Sequence, residues 1–234
     1  MIDQSKRTGR RLLAALAVVA LAAAAPGPAA AVADTETAAV LLVFGDSIAD
    51  GYGLERAQAF PALVQQRIAA RGWPVEVVKA GLSGETSAAG RRRIGWLLRR
   101  PYDYVLLERG ANDGLRGLPL AETCKNLQAI VDRVKEKNPA VRFVIAGMRI
   151  PPNLGARYAD EFAAIFPRLA ADNDAALIPF LLEGVGGVPE LNLPDGIHPA
   201  AAGHEILADN VWKVLEPMLA ARYQAAAPAE GSSD

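Results

Sequence analysis

A serine hydroxyl attacks an acyl carbon at neutral pH only if a base removes its proton, an acid orients that base, and donors meet the charge developing on the acyl oxygen. The chain carries residues of each kind. Ser47 follows the apolar run Val40-Leu41-Leu42-Val43-Phe44 across Gly45-Asp46. Only two histidines are present, His198 and His204, and Asp195 precedes the first by three residues in a loop containing glycine and proline. A local turn there brings the carboxylate to one ring nitrogen and leaves the other free for Ser47. His204, beside Glu205 in a helical stretch, reads as a surface or half-buried helical residue. The backbone amides of Ser47 and Gly81 and the side-chain amide of Asn112 are candidate oxyanion donors. Each signal also has an ordinary structural explanation: Ser47 as a helix cap, Asn112 and Gly81 as turn residues, Asp195 to His198 as the loop before a helix. Asp46 and Asp113 are expected to cap the loops that hold their neighbours.

These residues need strand ends to bring them together. Five continuous apolar residues before Gly45 suit a strand covered on both faces, as in a parallel sheet. The pattern then alternates. A helix around Phe60 to Ile68 precedes a strand at Val75 to Val78, and a helix at Thr86 to Arg99 precedes one at Tyr104 to Leu107. A helix with Leu120, Cys124, Leu127, Val131 and Val134 on one face leads to a strand at Arg142 to Ala146. A helix over Tyr158 to Ala171, kinked or interrupted at Pro167, leads to a strand at Ala176 to Ile178, and a last helix runs from about Pro199 to Tyr223. Five strands alternating with five helices imply an α/β fold with a parallel sheet between helix layers. Ser47, Gly81, Asn112 and the Asp195 loop all follow strands, at the edge where such sheets bind ligands.

Lys6, Arg7, Arg10 and Arg11 precede an apolar stretch from Leu12 to Ala25 and then small residues, the plan of a secretory signal peptide. Residues 1–33 are expected to be removed after Ala33, with Ala31 as the alternative end, a twin-arginine route as a variant, and an uncleaved anchor as the rival reading. A cleaved chain has no stable membrane anchor. It would be periplasmic or secreted and would comprise one domain over 34–223 with a frayed tail at 224–234. The formal charge of −1 becomes −4 on losing that segment's four bases and one acid, so no general attraction to nucleic acid is implied. Cys124 is the only cysteine, which excludes an intrachain disulfide. Neither histidine has a companion at metal-ligand spacing, so no metal or cofactor is expected. Arg91-Arg92-Arg93 with Arg99-Arg100 reads as a solvated helix face, and packing is the default for Trp73, Trp96 and Trp212.

In order and spacing, Gly45-Asp46-Ser47, Gly81, Gly110-Ala111-Asn112-Asp113 and Asp195-Gly196-Ile197-His198 resemble the four blocks of the SGNH (GDSL-type) hydrolases. Gly81 to Ser87, Asn112 to Gly117 and Arg149-Ile150-Pro151-Pro152-Asn153 are most similar to its bacterial periplasmic thioesterase I / lysophospholipase L1 / arylesterase branch. The resemblance implies a flavodoxin-like three-layer α/β/α sandwich with a five-stranded parallel sheet. It also implies a Ser47, His198, Asp195 triad with Ser47, Gly81 and Asn112 as oxyanion donors, acting on small-molecule or lipid acyl esters and thioesters. Arg109 departs from the branch, which usually has an aliphatic residue there; its charge would either alter the acyl pocket or reach solvent. Leu115, Ile150, Pro151, Leu154 and Tyr158 are expected to wall an acyl groove. A carbohydrate O-deacetylase and a non-catalytic flavodoxin-like binder are the rival functions, and oligomeric state is left open.

Overall fold

The computed structural model describes residues 38–225, so the expected signal peptide and most of the expected tail lie outside the described residues. The central sheet contains β1 (Ala39–Gly45), β2 (Val75–Gly81), β3 (Tyr104–Glu108), β4 (Arg142–Ala146) and β5 (Ala176–Ile178). All pairings are parallel, and the strand order is β2-β1-β3-β4-β5. Leu41 to Phe44 and Val105 to Leu107 are buried throughout, as strands covered on both faces require.

The helices are α1 (Ser47–Asp50), α2 (Phe60–Ala70), α3 (Ser87–Leu97), α4 (Ala111–Leu115), α5 (Leu120–Lys137), α6 (Ala156–Ala163), α7 (Ile165–Asp172) and α8 (Ala201–Ala225). One layer packs α2 against α8, and the other packs α3 against α5 and α5 against α7. The result is the expected α/β/α sandwich. Because β2 lies on one side of β1 and β3 on the other, the chain reverses its direction of travel across the sheet between them. That reversal opens a crevice at the carboxyl ends of β1 and β3.

Several local expectations change. The helix foreseen over Tyr158 to Ala171 is two helices, broken at Ala164. Pro167 falls in the first turn of α7, where its missing N–H and the lost bond to residue 163 cost nothing. The last helix starts at Ala201, because Pro199 is drawn into an antiparallel bridge with Asn192. Trp96 is 63% exposed, with the Arg99 guanidinium over its ring, whereas Trp73 and Trp212 stack on each other. Arg93 is no solvated face residue: it pairs with Glu85, donates to the Ala80 carbonyl and lies over the Phe44 ring. His204 is almost completely buried, its Nδ1 accepting the Phe60 backbone N–H at 3.1 Å. An imidazole so desolvated resists protonation, and its pKa falls from 6.5 to about 4.

Candidate active site

Strand β1 delivers Ser47 to the crevice through a turn that no side chain larger than hydrogen could make. A Cβ on Gly45 would lie 2.3 Å from both Ala49 Cβ and Glu108 Oε2. The Asp46 carboxylate accepts the Ile48 N–H at 3.2 Å and caps α1, which Gly51 ends with a left-handed φ of 74°. Ser47 is thus the first residue of a one-turn helix.

The candidate base, His198, and its partner Asp195 arrive on one loop from the far end of the chain. Leu193 N–H donates to the His198 carbonyl at 2.7 Å and Ala200 N–H to the Leu191 carbonyl at 2.8 Å, closing the segment like a hairpin. At its tip Gly196 adopts a φ of 68°. Asp195 Oδ1 accepts the N–H groups of Ile197 (2.9 Å) and His198 (3.0 Å), leaving Oδ2 2.7 Å from His198 Nδ1. The His198 backbone N–H, its ring and the Ile197 N–H hold the Asp195 carboxyl down at about 2. His198 Nε2 lies 2.9 Å from Ser47 Oγ. With Nδ1 donating to the carboxylate, Nε2 is left as the acceptor facing the hydroxyl.

Gly81 ends β2 and packs against the backbone of α1; a Cβ there would lie 2.2 Å from the Asp50 amide nitrogen. The loop after it is tied to α1 by Ser83 Oγ donating to Asp50 Oδ2 at 2.6 Å. Asn112 stands in the first turn of α4. The Arg116 guanidinium donates to its Oδ1 and to the Gly84 carbonyl, both at 3.1 Å. That clamp turns the amide nitrogen of Asn112 away from Arg116. Asp113 points the other way, accepting from Ser87 N–H (2.7 Å) and Thr123 Oγ1 (3.4 Å) and so pinning α4 to α3 and α5. Both aspartates have the structural work expected of them.

Arg109 does neither of the things foreseen. It is fully buried, donates to the Gly45 carbonyl, pairs with Glu85 at 2.8 Å and lies 4.3 Å from the Phe44 ring centroid. A strand-end position beneath the Ser47 turn leaves it no route to either pocket or solvent.

An apolar cavity of about 330 Å³ opens beside Ser47, between Ile48, Ala111 and Ile197. Leu115, Ile150 and Pro151 line it. Leu154 and Tyr158 do not. The 3₁₀ turn at Pro152–Leu154 carries Leu154 towards Gly117, and the Tyr158 hydroxyl is held by the Leu118 carbonyl at 2.7 Å. The opposite wall comes from Phe180, Leu182, Gly186 and Gly187, a loop after β5 that shows no periodicity in the sequence. Tyr52 was also missed; its ring packs 4.4 Å from that of His198, directed there by the glycines on either side of it.

The family model described as GDSL-like lipase/acylhydrolase matches residues 43–206. "Esterase TesA" of Pseudomonas aeruginosa is 42% identical over 183 residues, 78% of this chain and 90% of that protein. "Thioesterase 1/protease 1/lysophospholipase L1" of Escherichia coli is 38% identical, over 78% of this chain and 86% of its own length. The crystal structure of the psychrotrophic esterase EstA from Pseudoalteromonas sp., inhibited by monoethylphosphonate, superposes with a TM-score of 0.72 at 30% identity, covering 77% of this chain and 98% of that one. Fold, family match and relatives agree: the chain belongs to the GDSL-like lipase/acylhydrolase family and is an ester hydrolase.

Proposed function

We propose that the protein is an exported hydrolase of aryl and lipid acyl esters, and of acyl thioesters, acting through an acyl-enzyme on Ser47. One observation carries the reading: the unbroken contact from Asp195 through His198 to the Ser47 hydroxyl. His198 Nε2 takes the hydroxyl proton as Oγ bonds to the acyl carbon. Negative charge passes to the acyl oxygen, facing the Ser47 and Gly81 amides and Asn112. Asp195 stabilises the imidazolium without taking its proton. The carbon-oxygen or carbon-sulfur bond to the leaving group then breaks, and His198 hands the proton to that alcohol or thiol. Water repeats the sequence, losing its proton to His198, and the acid departs as Ser47 regains its own.

The apolar lining of the cavity favours an acyl chain over the acetyl group of a sugar, and a binder would have no use for the triad contact. The relatives named for esterase, thioesterase and lysophospholipase activity support the substrate class. Export rests on the basic and apolar character of residues 1–33; among the described residues no helix is long and apolar enough to cross a membrane. Treatment with a fluorophosphonate and peptide mass spectrometry should place the adduct on Ser47 and abolish ester hydrolysis. An unlabelled, active protein, or a fully active Ser47→Ala variant, refutes the assignment. Rates rising from acetyl to medium-chain esters separate this reading from a deacetylase.

A further inference from the structure

Glu108 ends β3 beneath Ser47 and has no part in the cycle above. Its side chain is fully buried. Oε2 accepts the N–H groups of Asp46 at 3.0 Å and Ala49 at 3.3 Å, one on each side of Ser47. Asp46 is equally buried, with Oδ1 committed to the cap of α1. Each carboxyl group retains an oxygen with no partner, Glu108 Oε1 and Asp46 Oδ2. The two carboxyl groups are neighbours, since Asp46 is itself bonded through its backbone N–H to Glu108.

Two ionised carboxylates in that position would repel and leave both oxygens bare, out of water. One proton converts the clash into a donor and an acceptor. The surrounding charge agrees. Arg109 faces the pair from the end of β3, and Glu85 and Arg93 come from α3 and the loop before it; Glu85 pairs with both guanidinium groups. Asn112, near Asp46 on α4, is neutral. Two arginines against Glu85 and one further negative charge make a neutral cluster, and a single proton on the pair supplies that balance.

We infer that Asp46 and Glu108 share one proton, and that Glu108 as the neutral member is a positioning residue that holds the backbone on both sides of Ser47 so that its hydroxyl meets His198. The positioning role rests on Ser47 being the nucleophile. Oε1–H of Glu108 donates to Asp46 Oδ2, while Oε2 keeps both backbone N–H groups. Burial first, and the neighbouring Asp46 second, push the Glu108 carboxyl well above its ordinary value of 4.5. Arg109 keeps the remaining negative charge on Asp46 tolerable.

Infrared difference spectra of wild type against Glu108→Gln at neutral pH should show the carbonyl stretch of a protonated carboxylic acid, shifted in deuterium oxide and absent from the variant. Glutamine reproduces the neutral acid, with its oxygen on the two N–H groups and its amine on Asp46. It should recover most of the kcat that Glu108→Ala loses, a loss of about 10²-fold for a displaced nucleophile. Folded Glu108 retains a proton that the unfolded chain releases, so wild type should lose stability relative to Glu108→Gln as pH rises from about 5 to about 8. No acid band, a stability gap constant over that range, or a glutamine variant as slow as alanine overturns the inference. If Glu108→Ala does not fold, the spectrum and the stability gap of the glutamine variant decide alone. Fluorophosphonate labelling of wild type keeps the two readings apart: an unlabelled Ser47 in a protein that shows the band removes the nucleophile and its positioning, not the shared proton.

Discussion

Replacing Asp195 by asparagine isolates the carboxylate's electrostatic work from its structural work. The amide oxygen of asparagine can still accept the N–H groups of Ile197 and His198, now made by Oδ1 at 2.9 and 3.0 Å. The loop therefore keeps its form. The other end changes, because an NH₂ group facing His198 Nδ1 donates where the carboxylate accepted. The ring then carries its proton on Nε2, 2.9 Å from Ser47 Oγ, and has no lone pair to take the hydroxyl proton. In well-studied serine proteases this reversal costs about 10⁴-fold in kcat, or about 5 kcal/mol of transition-state stabilisation. The cost to folding is much smaller. The carboxyl falls from 3.8 to about 2 in the folded chain, a shift worth roughly 2 kcal/mol for a group shielded from solvent. Asp195 is 38% exposed, so screening reduces this to under about 1 kcal/mol, and Tm should move by no more than about 4 °C. Steady-state hydrolysis of an aryl ester together with a thermal melt makes the test. A variant with unchanged Tm and kcat within tenfold of wild type refutes the tautomer argument.

Gly81→Ala places a Cβ where the α1 backbone stands, so Ser47 must shift; kcat should fall about 10²-fold and stability by about 1–3 kcal/mol, measured by the same kinetics and by urea unfolding. Ile150→Trp should fill the cavity that Ile150 lines and move the optimum in an ester chain-length series to shorter acyl groups, since each methylene kept out of the pocket forgoes about 0.8 kcal/mol. His204→Asn keeps an acceptor for the Phe60 N–H but cannot titrate. Wild-type His204 is forced neutral, with its pKa depressed from 6.5 to about 4, so its unfolded form gains a proton first. Stability relative to the variant should therefore drop by about 3 kcal/mol as pH falls from about 7 to about 4; parallel unfolding free energies across that range would refute it.

The parts of the site that could be read from sequence are those whose chemistry is local. Ser47 and Gly81 close apolar runs, Asn112 stands in a glycine-containing turn just after a third, and Asp195 and His198 share one short loop before the last helix. Glu108 and Arg109 were opaque for the opposite reason: charge after four apolar residues reads as the chain leaving the core, and only the neighbouring β1 turn and α3 show that both stay inside. Helices α1 and α4 are too short for a helical period to register. The far wall of the cavity, from Phe180 to Gly187, is irregular chain placed by tertiary packing. Arg93 and Trp96 are three residues apart on one helix, yet one is drawn inward by Glu85 and the other faces solvent, a difference set by what α3 packs on.

The proposed triad also divides its construction between two length scales. The Asp195 to His198 geometry is made by bonds within a hairpin whose own ladder spans Leu191 to Ala200, so it needs nothing from the sheet. Ser47 is placed by the opposite means, through Gly45, Asp46 and a buried strand-end acid 61 residues away in sequence that accepts from both of its flanks. The hydrogen bond from Ser47 Oγ to His198 Nε2, with Tyr52 packed on the His198 ring, joins the two assemblies. Substitutions in the hairpin and in the β1–β3 crevice should then fail in different ways. The first would leave Ser47 well placed but without a base; the second would leave an intact Asp-His pair facing a hydroxyl out of line. This is why the crevice carries so many buried charges for a turn of four residues. A 2.9 Å contact across the fold tolerates little drift, and Glu108, Arg109 and Asp46 together remove the freedom that Gly45 introduces.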